Sequence, residues 1–112
     1  LAFMDSDKLS ETDPEGGQNQ RSFNEMRDNG LTILFTRKRE AENYLCPSLV
    51  NGVDTISDYD DVKALASDKK ILEKKWPQMT TEKILERDQY TDDGTVRNEL
   101  KEVLIQILAI VD

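Results

Sequence analysis

The sequence predicts an α/β fold in which residues 1–56 form two short parallel strands joined by a βαβ crossover and residues 57–112 form a helical part. Two apolar runs, "LAFM" and "LTILFT", flank a segment with helical spacing, "SFNEMRDNG". A strand, a helix and a strand this close together form a crossover unit, whose strands are parallel and whose connection is right-handed. Beyond residue 57 the apolar residues recur mainly at helical spacings.

Local signals place the elements of the first half. "LAFM" leaves no room for a helix before the acidic turn, so it predicts a buried strand. Ser22 and Glu25 have the spacing of a capping box at a helix start, and Asn29-Gly30 would end that helix. After the second strand, "RKREAENYLCP" leads into a short helical pattern that Pro47 ends.

Capping signals also divide the second half, each ahead of a helical pattern. They are Ser57 with Asp60, Thr80 or Thr81, and Thr95. Asp92-Asp93 before Gly94 predicts a turn and the start of the final helix. That helix carries an apolar stripe, which should be covered by the sheet or by a neighbouring segment. The stripe comprises Val96, Leu100, Val103, Leu104, Ile107, Leu108 and Val111, widened by Ile105 and Ile110.

Composition excludes several classes of protein. Apolar residues make up 37% and charged residues 34% of the 112 positions, which predicts one small domain, or a piece of a larger one, with long solvated stretches. The net charge of −8 argues against a surface that attracts nucleic acid indiscriminately. The lack of histidine excludes His-dependent triads, and the lone Cys46 excludes an internal disulfide and fits a reducing compartment such as the cytoplasm.

No membrane span is predicted, because no apolar run approaches the ~20 residues that a span needs, and no signal peptide is predicted, because the N-terminus lacks that pattern. The start at Leu1, in the middle of a predicted strand, suggests a fragment of a longer chain.

Two carboxylates follow the first strand at alternate positions. Residues i and i+2 of an extended chain face the same side, so Asp5 and Asp7 could reach one site. Two like charges this close favour a bound cation, and Mg²⁺ or Mn²⁺ suits hard oxygen ligands. In open α/β sheets, ligands collect at the carboxyl ends of the strands, where residues after Thr36 would join the pair. The alternative is that Asp5 caps a turn and Asp7 is solvated.

The segment that begins at Asp5 matches some known D-x-D motifs better than others. A calcium loop beginning at Asp5 would need Gly and Glu where Ser10 and Gly16 stand. Haloacid dehalogenase phosphatases place Thr or Val where Leu9 stands. "FMDSD" resembles the motif by which metal-dependent glycosyltransferases hold a nucleotide-sugar diphosphate, although several of those families add a histidine.

"RKREAENYL" resembles a signature of the Toprim domain as it occurs in the overcoming-lysogenization-defect (OLD) nucleases and related ATPase-linked anti-phage effectors. These proteins share a Rossmann-like fold, a D-x-D at a strand end and two-metal cleavage of DNA. The resemblance covers roughly the first half of the chain. It implies that Asp5 and Asp7 are catalytic metal ligands and that Glu42 is a further acidic member of the site. Glu40 would join them only if its segment is extended.

Basic residues beside these acidic groups predict contacts with DNA. Arg37, Lys38 and Arg39 could bind the DNA backbone, or could simply form a solvated surface. The resemblance also implies a basic residue late in the domain. Arg97 or Lys101 could fill that role, although both lie in a predicted helix, where solvent-facing charge is the better explanation.

The sequence thus predicts the C-terminal part of a Toprim nuclease domain that cleaves DNA with Mg²⁺ or Mn²⁺. A Toprim glutamate upstream of D-x-D and the ATP-binding ATPase domain would lie outside this chain, so the isolated segment is expected to be inactive. The parent protein would be a homo-oligomer. The alternatives are a D-x-D glycosyltransferase fragment and a non-catalytic α/β interaction module.

Overall fold

A computed structural model describes residues 2–111, without the side chains of Ile110 and Val111. Leu1, the first residue of the predicted strand, and Asp112 lie outside the described residues. The strands are β1 (Ala2–Met4), β2 (Ile33–Phe35), β3 (Gln89–Asp92) and β4 (Thr95–Asn98). The α-helices are α1 (Gln20–Asp28), α2 (Val62–Leu65), α3 (Ile71–Lys75), α4 (Thr81–Asp88) and α5 (Glu99–Val111). Short 3₁₀ helices cover Gly17–Asn19, Ala41–Tyr44, Pro47–Leu49 and Trp76–Gln78.

The predicted crossover is confirmed. Strands β1 and β2 pair in parallel, with Ala2 opposite Ile33, and α1 connects them. An edge-on contact between the rings of Phe23 and Phe35, with centroids 5.1 Å apart, packs α1 on the sheet. The helix starts two residues before Ser22, so the predicted capping box is wrong, whereas Gly30, with φ 92°, ends it as predicted.

The second sheet corrects the prediction for residues 89–98. Strands β3 and β4 form an antiparallel hairpin where the sequence suggested the end of one helix and the start of the next. Asp93 and Gly94 have φ values of 48° and 76°, the left-handed conformation that a tight hairpin turn requires. The turn was therefore predicted correctly and the helix start was not, because α5 begins only at Glu99.

The apolar core lies in the middle of the chain, under the 3₁₀ helix of Ala41–Tyr44. Leu45 is fully buried at its centre. Helices α2 and α3 each bury one aliphatic side chain against it. The cluster comprises Leu45, Val50, Ile56, Val62 and Ile71.

Three helix boundaries in this region can be compared with the predicted signals. Asp61, rather than Ser57, caps α2, because its Oδ1 accepts a hydrogen bond from the Ala64 amide at 3.2 Å. Pro47 occupies the first turn of a 3₁₀ helix as well as ending the pattern before it. Thr80 caps α4 as predicted, and its Oγ1 accepts from the Lys83 amide at 3.2 Å.

Replacing Thr80 with alanine should lower the free energy of unfolding by about 1 kcal/mol, because the Lys83 amide loses its acceptor. Urea denaturation followed by circular dichroism would measure this. The control is Thr81→Ala, which leaves that hydrogen bond in place; equal losses in both variants would contradict the assignment of the cap.

Helix α5 departs from the prediction that its apolar stripe is covered. Leu104, Ile105 and Leu108 each expose more than half of their surface among the described residues. Glu99 at its N-terminus is buried and holds the helix to the segment after β2, because its carboxylate accepts hydrogen bonds from the Tyr44 hydroxyl and the Arg37 amide. Within residues 2–111, no helix combines the length and apolar character that crossing a membrane requires.

Candidate acidic metal site

The carboxyl end of β1 is tied to the segment that follows β2. The Asp5 carboxylate accepts a hydrogen bond from the Ala41 amide at 2.9 Å, and the Asp7 amide donates to the Arg39 carbonyl at 2.9 Å. These contacts bring the D-x-D motif against the residues "REAE", as expected when the ends of parallel strands share one edge.

Three carboxylates converge at this edge. Oxygen atoms of Asp5, Glu40 and Glu42 all lie within 4.8 Å of one another. Glu40 is extended, with φ −144° and ψ 168°, and Glu42 lies in the 3₁₀ helix that follows. The sequence predicted that Glu40 would join Glu42 only in an extended segment, whereas here only Glu40 is extended and a 3₁₀ turn brings the two carboxylates together. We call Asp5, Glu40 and Glu42 the acidic cluster.

Asp7 does not belong to the acidic cluster of the described residues. Its φ of 54° lies in the left-handed region, so the backbone is not extended at Asp7. The rule that residues i and i+2 of a strand face the same side therefore does not apply to Asp5 and Asp7. The exposed Asp7 side chain instead approaches Gly17, where an added Cβ would come within 2.9 Å of the Asp7 Cβ. Asp7 still contributes negative charge beside Asp5.

Ser6, between the two aspartates, is fully buried. Its hydroxyl donates to the Lys38 carbonyl at 2.8 Å, and its amide donates to the Thr36 hydroxyl at 3.1 Å. The Thr36 hydroxyl in turn donates to the same Lys38 carbonyl at 2.7 Å. These hydrogen bonds connect the segments that follow β1 and β2, next in sequence to Asp5.

Burial and mutual repulsion disfavour the fully ionised state of the acidic cluster. Burial, and then the nearby charge of Glu40, raises the pKa of Asp5 above its usual value, although the Ala41 hydrogen bond opposes the shift. Burial also raises the pKa of Glu42. One oxygen of Glu42, Oε2, is buried and has no hydrogen-bond partner among the described residues. Desolvated, crowded carboxylates of this kind favour a bound cation.

Two basic side chains already approach the acidic cluster. The Lys63 ammonium lies 3.1 Å from Glu40 Oε2 and 3.8 Å from Glu42 Oε1. The Arg39 guanidinium lies 3.5 Å from Glu40 Oε1 and 3.9 Å from Asp61. Sequence reasoning missed Lys63, which is distant in sequence from both motifs and has no local signal.

The three basic residues that were predicted to contact DNA form ion pairs within the chain. Arg37 binds Asp58 at 2.7 Å, and Arg39 pairs with Glu40 as described above. Lys38 is only 3% exposed; its ammonium lies 4.8 Å from the centre of the Tyr44 ring and 3.8 Å from Asp58. Burial lowers the pKa of Lys38 to about 8. Lys38 is therefore not placed to contact a DNA backbone.

Asn43 holds the turn that carries the two glutamates. Fully buried, it donates from Nδ2 to the Ser57 and Asp60 carbonyls, both at 3.0 Å. Its Oδ1 accepts from the Glu40 amide at 3.0 Å. These contacts fix the backbone of the turn in which Glu42 follows Glu40 by two residues.

The late basic residues lie on the C-terminal hairpin and helix. Arg97 binds Asp92 and Glu102, each at 2.7 Å, and Lys101 is exposed on α5. Neither residue pairs with the acidic cluster in the described part of the chain.

Comparison with protein-family models, with curated proteins and with solved structures finds no match to this chain. The function proposed below therefore depends on the geometry of the acidic cluster and on the motifs around it.

Proposed function

We propose that the chain forms part of the catalytic domain of a Toprim-type, metal-dependent DNA endonuclease. The observation that carries the proposal is the convergence of Asp5, Glu40 and Glu42 at the carboxyl ends of two parallel strands. The parent protein would couple this domain to an ATPase and act in defence against phage, as the resemblance of "RKREAENYL" to OLD nucleases implies.

The chemistry of the acidic cluster fits Mg²⁺ or Mn²⁺, which take carboxylate oxygens as ligands. A divalent cation held there would activate water and stabilise charge on the leaving oxygen of a phosphodiester. The Ala41 amide positions the Asp5 carboxylate by its hydrogen bond to Oδ1. Glu42 offers the unpartnered Oε2, and Arg39 orients Glu40 from the side. Asp7 adds negative charge at the rim of the site.

A test of this proposal is nicking of plasmid DNA by the full-length parent protein in Mg²⁺ or Mn²⁺. Asp5→Asn should reduce the rate by about 100-fold or more, because a metal ligand loses its charge. Asp54→Asn, which neutralises an exposed carboxylate elsewhere, should leave the rate unchanged. Metal-independent nicking, or equal rates in all three proteins, would contradict the proposal. Transfer of a nucleotide-sugar's glycosyl group by the wild type would instead favour the glycosyltransferase alternative.

A non-catalytic interaction module is the second candidate, favoured by the exposed apolar residues of α5. Phe3, Leu72, Trp76 and Leu100 also line an apolar groove of about 540 Å³. Exposed apolar surface of this kind is typical of sites that bind another protein. This candidate predicts that the chain binds no divalent metal, so Mn²⁺ titration by calorimetry separates it from the nuclease.

A further inference from the structure

Lys63 contacts two of the three carboxylates that would hold a divalent cation. It lies in α2, and its ammonium bridges Glu40 Oε2 and Glu42 Oε1 at 3.1 and 3.8 Å. Its side chain is 39% exposed, so the flexible stem can move into solvent without opening the core. By contrast, Val62, the neighbouring residue in α2, is buried in that core and anchors the helix.

The Glu42 carboxylate also indicates that the acidic cluster binds a ligand. Its side chain is 9% exposed, yet Oε2 has no hydrogen-bond partner in residues 2–111. A buried carboxylate oxygen without a donor is costly, and Lys63 lies 3.8 Å from the other oxygen, Oε1, too far to donate a hydrogen bond to it. The ammonium of Lys63 therefore neutralises the acidic cluster incompletely.

The charges of the site show why a metal and Lys63 would compete. When ionised, the acidic cluster carries three negative charges, and Lys63 and Arg39 together offset two of them. A divalent cation bound by Glu40 and Glu42 would lie close to the Lys63 ammonium, and the two like charges would repel each other. Moving the Lys63 ammonium away relieves this repulsion, whereas Arg39 lies between Glu40 and a second partner, Asp61.

We propose that Lys63 is a built-in competitor for the metal, which binds Glu40 and Glu42 until Mg²⁺ or Mn²⁺ displaces it. This inference rests on the proposed metal site and extends it by assigning the residue that sets its affinity. The competition would keep the site unloaded at low metal concentration without altering its ligands.

Calorimetric titration with Mn²⁺ tests the competition directly. Lys63→Met should bind Mn²⁺ on the order of tenfold more tightly than the wild type, because a unit positive charge close to the ion is removed. Lys63→Arg, which keeps the charge, should bind like the wild type. Lys74→Met removes a lysine that pairs with Asp68 instead, and it should also leave the affinity unchanged.

Chemical labelling supplies a readout that is independent of affinity. Reductive methylation of Lys63, followed by mass spectrometry, should be several-fold faster in saturating Mn²⁺ than without metal, whereas Lys74 should react equally in both conditions. If the wild type binds Mn²⁺ but neither the affinity nor the labelling of Lys63 responds, the competition is refuted and the metal site stands. If neither the wild type nor Lys63→Met binds Mn²⁺, the metal site and the competition both fail.

Discussion

Replacing Asn43 with alanine is expected to lower the free energy of unfolding by about 4 kcal/mol, because three hydrogen bonds of a fully buried side chain are lost together. The Ser57 and Asp60 carbonyls lose a donor, and the Glu40 amide loses its acceptor. Urea denaturation of wild type and variant would measure the difference. Mn²⁺ affinity should fall as well, because Glu40 would no longer be held beside the acidic cluster.

The matched control is Asn29→Ala. Asn29 also donates from its side-chain amide to a backbone carbonyl, that of Glu25 at 3.0 Å, but the contact is exposed to solvent. Its loss should therefore cost less than about 1 kcal/mol. A similar, small effect at Asn43 would show that this side chain does not organise the turn.

Replacing Lys38 with methionine should raise the free energy of unfolding at pH 7 by about 2 kcal/mol, because a buried charge gives way to an apolar side chain of similar length. The folded protein holds the pKa of Lys38 at about 8, below the 10.5 of an unperturbed lysine. Between these values the unfolded chain binds more protons, so wild-type stability should rise with pH. Across the two units from pH 8 to pH 10, the increase should be about 2 kcal/mol.

In Lys38→Met this rise should disappear. Tyr44, whose ring faces Lys38, contributes only a small opposite slope near pH 10, because burial raises its pKa in the folded protein while the unfolded chain begins to lose that proton. The other charged groups near Lys38 are Asp58, Arg37, Arg87 and Glu99. Thermal denaturation at pH 7.0, 8.0 and 9.5 would test the prediction, and a slope that persists in the variant would assign the pH dependence to another group.

The fold could be predicted where one local signal dominated. The parallel crossover followed from two apolar runs around one helical segment, and Gly30 was required to end α1. The β3–β4 hairpin was missed although Asp93-Gly94 is a strong hairpin signal. Apolar residues from Val96 onward fit helical spacing, so the sequence pattern alone does not show that Thr95–Asn98 is a strand before the helix begins.

Part of the candidate site was likewise predictable from local sequence motifs. Asp5 and Glu42 belong to motifs of three and nine residues, so the sequence could indicate both. The separation of Asp7 depends on one backbone angle, a φ of 54°, which sequence spacing does not reveal. Lys63 approaches Glu40 only because α2 packs against the core through Val62, and no local pattern encodes such a tertiary contact.

The burial of Ser6 limits how the D-x-D motif can vary in sequence. Because its hydroxyl and amide bind Lys38 and Thr36 in a space with no exposed surface, the central position of the motif accepts few side chains. In a saturation library screened for folded protein, glycine, alanine and cysteine should survive there, whereas larger residues should be depleted as strongly as at a core leucine. The exposed Asp7 next to it should tolerate nearly every substitution that can adopt a positive φ. The residue between the two aspartates would then vary less than one of the aspartates themselves.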